Sequence, residues 1–238
     1  MGFTQRLGTI ASHVVSVIFP RLCEVCGTAL TDGEEIMCLD CLYSMPVCNL
    51  DSEGFNIIHQ RLASHTPVNR AAGLFHYYRG NPYTRLIHAA KYNNRPQIAR
   101  YLGTLFARRL LGNGFFENVD VIVPVPLHKT RQRRRGYNQS QHIAAGISDV
   151  TAIPVKPLLM VTRPHSTQTR RDLYHRWLNS LDTYTASPRQ NSYSPKHILL
   201  VDDVITTGST MLACLEALHT AYPSAHLSVL TLGVAQLR

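Results

Sequence analysis

Two adjacent aspartates and a hydroxyl-rich loop are the densest group of chemically useful side chains in the sequence. Asp202 and Asp203 follow the apolar run Ile198 to Val201, and the segment Val204 to Thr210 carries three threonines, Ser209 and one glycine. Small residues before a helix leave several backbone N–H groups available to bind an anion such as a phosphate. Two ionised aspartates would repel that phosphate, so they suit a sugar diol or a bound Mg²⁺.

The elements around this group predict the edge of an α/β sheet. Ile198 to Val201 has the continuous apolar pattern of a strand buried on both faces, and Met211 to His219 is typical of a helix. Ligands of open α/β sheets bind where the strands end. A structural alternative is a buried strand, an acidic turn and a capped helix with no ligand. A different Mg²⁺-phosphate site is also open, although a P-loop NTPase is unsupported because no G-x-x-x-x-G-K-[ST] loop occurs.

The order of apolar strand, acidic pair and TTGST loop resembles the signature with which type I phosphoribosyltransferases bind 5-phosphoribosyl 1-diphosphate (PRPP). The resemblance implies that the loop from Thr206 to Thr210 holds the 5′-phosphate. It also implies that Asp202 and Asp203 meet the ribose hydroxyls. The implied PRPP-binding residues are Asp202, Asp203, Val204, Thr206, Thr207, Gly208, Ser209 and Thr210.

Paired cysteines near the N-terminus have the spacing of a structural metal site. Cys23 and Cys26 form one Cys-x2-Cys pair, and Cys38 and Cys41 form a second after eleven residues. Four thiolates on two tight turns make a tetrahedral cage that suits Zn²⁺ and leaves no open position for catalysis. An Fe–S cluster or a redox pair is the alternative. Cys48 is expected to be a buried thiol.

Charge and hydropathy limit the class of protein. The chain has 238 residues, 45% of them hydrophobic, and a net charge of +9, which favours phosphate-bearing partners such as a phosphorylated small molecule or nucleic acid. No apolar run reaches the roughly 20 residues of a membrane helix. Ile10 to Phe19 could mimic a signal sequence, but Ser12 and His13 interrupt it, so an amphipathic helix is expected. We therefore expect a cytoplasmic protein.

A strongly basic stretch follows a second predicted buried strand, Val121 to Val123. It is expected to form a cationic loop at the same sheet edge as the aspartates and contains Lys129, Arg131, Arg133, Arg134 and Arg135. Arginine binds phosphate oxygens bidentately, so the loop suits a departing pyrophosphate. A nucleic-acid or other partner surface and a merely solvated loop are the alternatives.

Two further features lie beside this charged region. The polar-basic segment 162–179 fits a lid over a charged ligand, or else an exposed loop with a short helix docked by Trp177 and Leu178. Lys91 ends a predicted helix, where the sequence slightly favours a solvated lysine that complements the helix dipole. The other predicted elements are strands at 71–78, 157–161 and 227–234 and helices at 83–92, 95–111 and 137–148.

Five blocks in order resemble the ComF/GntX family of bacterial zinc-containing proteins with a phosphoribosyltransferase domain, some of them associated with DNA uptake in competence. The blocks are FPRLC before the cysteines, HAAKY, VPVPLHKTRQRRRGYNQ, TRPHSTQTRRDLYHRWLN and VDDVITTGST. The resemblance implies catalytic roles for Asp202, Asp203, Arg131, Arg135 and Arg163. The motif positions that it implies for the pyrophosphate loop and the lid are Lys91, Arg131, Arg135, Gly136, Asn138, Gln139, Thr167, Gln168 and Arg176, with Arg163 and Asn179 beside them.

The predicted organisation is an N-terminal helix and zinc double knuckle at 1–50, a linker at 51–70 and a phosphoribosyltransferase-like domain at 71–238. Its fold class is α/β, with a parallel sheet flanked by helices beside a small four-cysteine zinc domain. The expected function is a PRPP-binding, Mg²⁺-dependent phosphoribosyltransferase with an unnamed acceptor. The alternative is a non-catalytic module on the same fold that senses nucleotides or contacts DNA or a DNA-processing protein. A weaker third reading is DNA binding with no small ligand.

Overall fold

A computed structural model of the chain describes residues 19–48, 55–63, 66–92, 94–162, 183–187 and 194–236. The chain divides into two compact units, Met1–Met45 and Pro46–Arg238. The first contains the paired cysteines and the short helix α1, Leu39–Tyr43. The boundaries that the sequence predicts, at residues 50 and 70, stay predictions.

The described part of the second unit alternates helices and strands. In chain order these are α2 (Ile57–Arg61), β1 (Ala71–Tyr77), α3 (Thr84–Tyr92), α4 (Pro96–Leu110), β2 (Val121–Pro124), α5 (Lys129–Arg135), α6 (Gln139–Thr151), β3 (Leu159–Val161), β4 (Tyr184–Ala186), β5 (His197–Ile205), α7 (Ser209–Ala221) and β6 (His226–Ala235).

A four-stranded parallel sheet in the order β1-β6-β5-β2 forms the centre of this unit. Its strands are buried almost along their whole length, which explains their continuous apolar runs. The predicted strand at 227–234 is confirmed beside β5, with Leu230 opposite Val201. Because all four strands run the same way, their carboxyl ends meet at one edge.

Two helices on this sheet approach each other through glycines. A Cβ added at Gly103 of α4 would lie 2.3 Å from the carbonyl oxygen of Ile143, and one at Gly146 of α6 would lie 2.0 Å from that of Arg100. The two backbones therefore touch. This close packing brings the first turn of α6 to the sheet edge beside Asp202.

Four predictions about local structure are corrected. The basic stretch expected to be a loop forms helix α5, although none of its residues is buried. The expected linker contains α2, whose Ile58 and adjoining Leu62 are buried in the core. The predicted strand at 157–161 shortens to β3, which pairs antiparallel with β4 outside the main sheet. Finally, β5 does not end at Val201 but continues to Ile205 along β6.

None of the helices in the described ranges is both long enough and apolar enough to cross a bilayer.

Candidate phosphoribosyl site and cysteine cluster

Asp202 and Asp203 lie near the carboxyl end of β5, at the sheet edge predicted from the sequence. Asp202 Oδ1 accepts hydrogen bonds from the hydroxyl of Ser140 and from the backbone N–H of Asp203, each at 2.9 Å. Burial, followed by the neighbouring Asp203 carboxylate, raises the pKa of Asp202 to about 7. The hydrogen bonds and Lys91 oppose that rise. The pair therefore holds a carboxyl that can gain or lose a proton near neutral pH.

Lys91 is the nearest cation to this pair in the described structure. Its Nζ lies 3.0 Å from Oδ2 of Asp203, and the side chains are 21% and 8% exposed. The preference for a solvated Lys91 is therefore wrong, because the last turn of α3 directs its ammonium at the acidic pair. At this depth the contact is screened less than a surface ion pair.

The loop from Thr206 to Thr210 connects β5 to α7. Gly208 has φ +88°, a left-handed conformation that favours glycine, and it precedes the first residue of the helix. The first N–H groups of α7 have no partner within the helix. The hydroxyl of Thr207 donates to that of Ser209 at 3.3 Å.

An open pocket lies over this loop. It brings together the PRPP-binding residues predicted from the sequence except Asp203 and Thr207, and Ile205 and Met211 complete its lining. The predicted residues among its lining are Asp202, Val204, Thr206, Gly208, Ser209 and Thr210. A helix N-terminus beside a carboxylate pair can hold a phosphate and a polyol of the same ligand.

Residues of the VPVPLHKTRQRRRGYNQ block support this edge in different ways. Asn138 caps α6 by accepting from the backbone N–H of Ser140 at 3.1 Å, and it donates to the carbonyl of Val125 at 2.9 Å. It therefore positions the serine that binds Asp202. Gly136 ends α5 in a left-handed conformation with φ +87°.

Arg135 is held by its neighbours. Its guanidinium donates to the side-chain oxygen of Gln139 and lies 5.5 Å from the centre of the Tyr92 ring. Arg131 is exposed, and its charge opposes the rise that burial causes in the pKa of Tyr184. Within the described ranges of the chain, the guanidinium of Arg131 makes no hydrogen bond or ion pair, unlike that of Arg135.

The sequence alone did not indicate two residues of the site, Ser140 and Tyr184. Tyr184, on β4, is buried and its hydroxyl hydrogen-bonds with the side chain of Thr210. Burial raises the pKa of its phenol well above the usual value. The strand–loop–helix pattern before Ser140 could have indicated that serine, whereas no pattern marks Tyr184. The lid residues Arg163, Thr167, Gln168, Arg176 and Asn179 lie outside the described residues.

The four predicted cysteine ligands come together in the first unit. The sulfur atoms of Cys23, Cys26, Cys38 and Cys41 all lie within 4.8 Å of one another, and those of Cys26 and Cys38 are 3.7 Å apart. A tetrahedron with Zn–S bonds of about 2.3 Å has edges of about 3.8 Å, so the donor set fits Zn²⁺.

The backbone around the sulfurs also suits a metal cage. Gly27 adopts φ +79° and closes the first turn with an N–H bond to the carbonyl of Cys23. The backbone N–H of Cys38 points at the sulfur of Cys23 at 3.4 Å. Hydrogen bonds with the side chain and backbone of Thr28 lower the pKa of Cys26 to about 6, whereas burial, followed by the neighbouring thiols, raises the pKa of Cys41. Cys48 is buried, as expected, with its sulfur 3.5 Å from Nδ1 of His76.

Comparisons with known proteins agree with this architecture. Residues 88–236 match the model of the phosphoribosyl transferase domain. The DNA utilization protein YhgH of Escherichia coli K12 is 30% identical over 213 residues, which cover 81% of this chain and 88% of that protein. Competence protein F of Haemophilus influenzae is 34% identical over 135 residues, 55% of this chain and 58% of that protein.

More distant similarities extend the comparison. Competence protein ComFC of Bacillus subtilis is 30% identical over 91 residues, covering 38% of this chain and 35% of that protein. A solved structure titled as the allosteric regulatory enzyme of purine biosynthesis has a TM-score of 0.37 and 20% identity, over 55% of this chain and 25% of that one. That structural likeness is too distant to support a conclusion. The domain match and the YhgH relative show that the chain belongs to the ComF family of proteins with a phosphoribosyltransferase domain.

Proposed function

We propose that the second unit binds PRPP with Mg²⁺ and transfers its phosphoribosyl group to an acceptor with release of pyrophosphate. The observation that carries the proposal is the position of the Asp202–Asp203 pair beside the N-terminus of α7, with Lys91 in contact with the pair. An anion site, a diol site and a nearby cation match the 5′-phosphate, the ribose and the diphosphate of one ligand.

Each group has a part in the proposed reaction. The N–H groups and hydroxyls of the 206–210 loop hold the 5′-phosphate, and Asp202 and Asp203 accept hydrogen bonds from the 2′- and 3′-hydroxyls. The bond from C1 of the ribose to the diphosphate oxygen breaks, and pyrophosphate leaves with the electron pair. A bond from C1 to the acceptor forms in its place. Lys91 and Arg131, joined by Arg135 and Arg163, stabilise the negative charge on the leaving group.

A divalent cation has suitable ligands in this arrangement. Mg²⁺ prefers carboxylate, phosphate and water oxygens, and it is bound at such sites through one or two carboxylates and the substrate phosphates. Asp202 and Asp203 would supply the protein oxygens, and the ion would neutralise charge on the diphosphate. In the first unit, the four cysteines would hold a structural Zn²⁺.

The experiment that tests transfer is a search for turnover. The purified full chain is incubated with PRPP, Mg²⁺ and pools of nucleobases, amines and nucleic-acid fragments, and pyrophosphate release is measured. Release that depends on one pool and is lost in Asp202→Asn/Asp203→Asn supports the transferase. Release in no pool, from protein that binds PRPP, rejects transfer for the acceptor classes tested and favours a sensing role.

A second function is favoured by the surface of α5. Its seven residues include five cations, of which Lys129, Arg131, Arg133 and Arg134 are exposed, and the relatives named above carry names that refer to competence and DNA utilization. We propose that this helix contacts nucleic-acid phosphates. Arg133→Glu/Arg134→Glu should then weaken binding of single-stranded DNA and flatten its salt dependence. Unchanged DNA affinity in this variant would reject the contact.

A further inference from the structure

The side chain of Arg61 joins α2 to the ends of two strands at the candidate site. Nη1 donates to the carbonyl oxygen of Ile205 at 3.4 Å, and Nη2 donates to that of Ala235. Ile205 is the last residue of β5 and directly precedes Thr206. One planar guanidinium thus ties the start of the 206–210 loop to the last residue of the neighbouring strand β6.

The backbone of Arg61 also contacts the 206–210 loop, at Gly208. A Cβ added at Gly208 would lie 3.1 Å from the carbonyl oxygen of Arg61 and 3.3 Å from Cδ2 of Leu62. Gly208 therefore lies directly against the end of α2. The loop therefore contacts this short helix through the backbone of Gly208.

α2 is itself firmly anchored, so it can act as a support. The side chain of Asn56 caps the helix by accepting from the N–H groups of Ile58 and His59, and it donates to the carbonyl oxygen of Ala71 at 2.8 Å. Ile58 and Leu62 are fully buried in the core. A helix fixed to the first residue of β1 and to the core holds Arg61 at a defined position.

We infer that Arg61 is a positioning residue that holds the 206–210 loop in the geometry required to bind the phosphate of the ligand. The inference rests on the proposed function for the identity of that ligand. α2 precedes residues 88–236, the range that matches the domain model. Arg61 acts through the carbonyl groups of Ile205 and Ala235 and does not itself need to touch the phosphate.

The first test measures the loop without any ligand. Hydrogen exchange of the Leu212 amide, which donates to the carbonyl oxygen of Gly208 at 2.8 Å, is compared between the full chain and Arg61→Met, which keeps an unbranched apolar stem but removes the donors. We expect exchange about tenfold faster, the loss typical of hydrogen bonds donated by a charged group. Arg61→Lys, which keeps a charged donor, should give an intermediate rate and decides the question if Arg61→Met does not fold.

A matched control uses another arginine that donates to backbone carbonyls. Nη1 of Arg70 binds the carbonyl oxygens of Phe115 and Glu117 at the opposite edge of the sheet. Arg70→Met should leave exchange of the Leu212 amide unchanged. The inference is overturned if Arg61→Met leaves exchange of the Leu212 amide unchanged, or if exchange rises equally throughout β1 and β6, as for a general loss of stability.

The second test separates loop geometry from overall binding. Ribose 5-phosphate and pyrophosphate are titrated separately into the full chain and into Arg61→Met. We expect affinity for ribose 5-phosphate to fall about tenfold and affinity for pyrophosphate to stay the same. Equal weakening of both overturns the positioning role. If the unaltered chain binds neither compound, the proposed function fails, while the exchange measurement still decides whether Arg61 holds the loop.

Discussion

The ammonium of Lys91 lies 3.0 Å from the Asp203 carboxylate, which itself adjoins Asp202. Without a ligand, this lysine is the counter-ion of the acidic pair. A ligand that brings its own cation to the pair would free Lys91 to contact the diphosphate. The same side chain can thus stabilise the empty site and help to bind the ligand.

Lys91→Met should weaken binding of PRPP and change the number of protons that are released on binding. Lys91 opposes the rise in the pKa of Asp202, so its loss should raise that pKa beyond its value of about 7. More carboxyl groups would then be protonated at pH 7, and binding that needs them ionised should release more protons. Calorimetry in two buffers of different ionisation enthalpy measures this number. Lys91→Arg should behave like the unaltered chain, and equal proton release from all three proteins would contradict this role.

Asp202→Asn should change how stability depends on pH. The folded-state pKa of Asp202 is raised from 3.8 to about 7, so the folded state binds more protons than the unfolded state between these values. This aspartate therefore makes the free energy of unfolding fall as pH rises from about 4 to 7. An asparagine at this position keeps an oxygen that can accept the hydrogen bond from Ser140, but its side chain does not titrate.

The variant should accordingly gain stability relative to the unaltered chain as pH rises. We expect a relative gain on the order of 1–2 kcal/mol between pH 5 and pH 8, because each pKa unit corresponds to about 1.4 kcal/mol and the site is partly solvated. Urea unfolding at both pH values measures the difference. An identical pH dependence in the two proteins would show that Asp202 titrates normally.

Gly103→Ala should destabilise the protein, although alanine normally favours a helix interior by up to about 1 kcal/mol. Its Cβ would lie 2.3 Å from the carbonyl oxygen of Ile143, so α4 and α6 would have to separate. We expect a loss of about 3 kcal/mol or more in the free energy of unfolding, as for severe overpacking. Gly146→Ala should behave alike, and increased stability in either variant would contradict the helix contact.

Cys41→Ser should abolish metal binding in the first unit, whereas Cys48→Ser should preserve it. Cys41 belongs to the four-sulfur cluster and Cys48 does not. Elemental analysis of the purified proteins should give about one zinc per chain for the unaltered protein and Cys48→Ser, and none for Cys41→Ser. Iron with visible absorbance would instead indicate an Fe–S cluster.

Local patterns predicted the central strands and long helices well because these elements bury continuous or periodic apolar residues. They did not predict α5, since a helix with no buried residue has no amphipathic pattern. The length of β5 was underestimated because Asp202 and Asp203 are unusual inside a strand. Pairing with β6 extends the ladder past them to Ile205.

Ser140 and Arg61, which the sequence did not indicate, share one property. Ser140 lies 62 positions from Asp202, and Arg61 lies 144 positions from Ile205. Neither residue lies within a sequence motif that identifies its partner. The contacts form only because parallel strands bring distant segments to one edge of the sheet. The resemblance implies that Lys91 is a site residue, and its ammonium does lie beside Asp203, while helix-dipole reasoning from its own segment favoured solvent.

The central claim is that this pocket binds PRPP through the acidic pair. Calorimetric titration of the metal-loaded full chain with PRPP and Mg²⁺, beside Asp202→Asn/Asp203→Asn, tests it most directly. We predict saturable binding to one site per chain that is lost in the variant while the variant remains folded by circular dichroism. No binding by the folded, unaltered chain, or equal binding by the variant, would contradict the account.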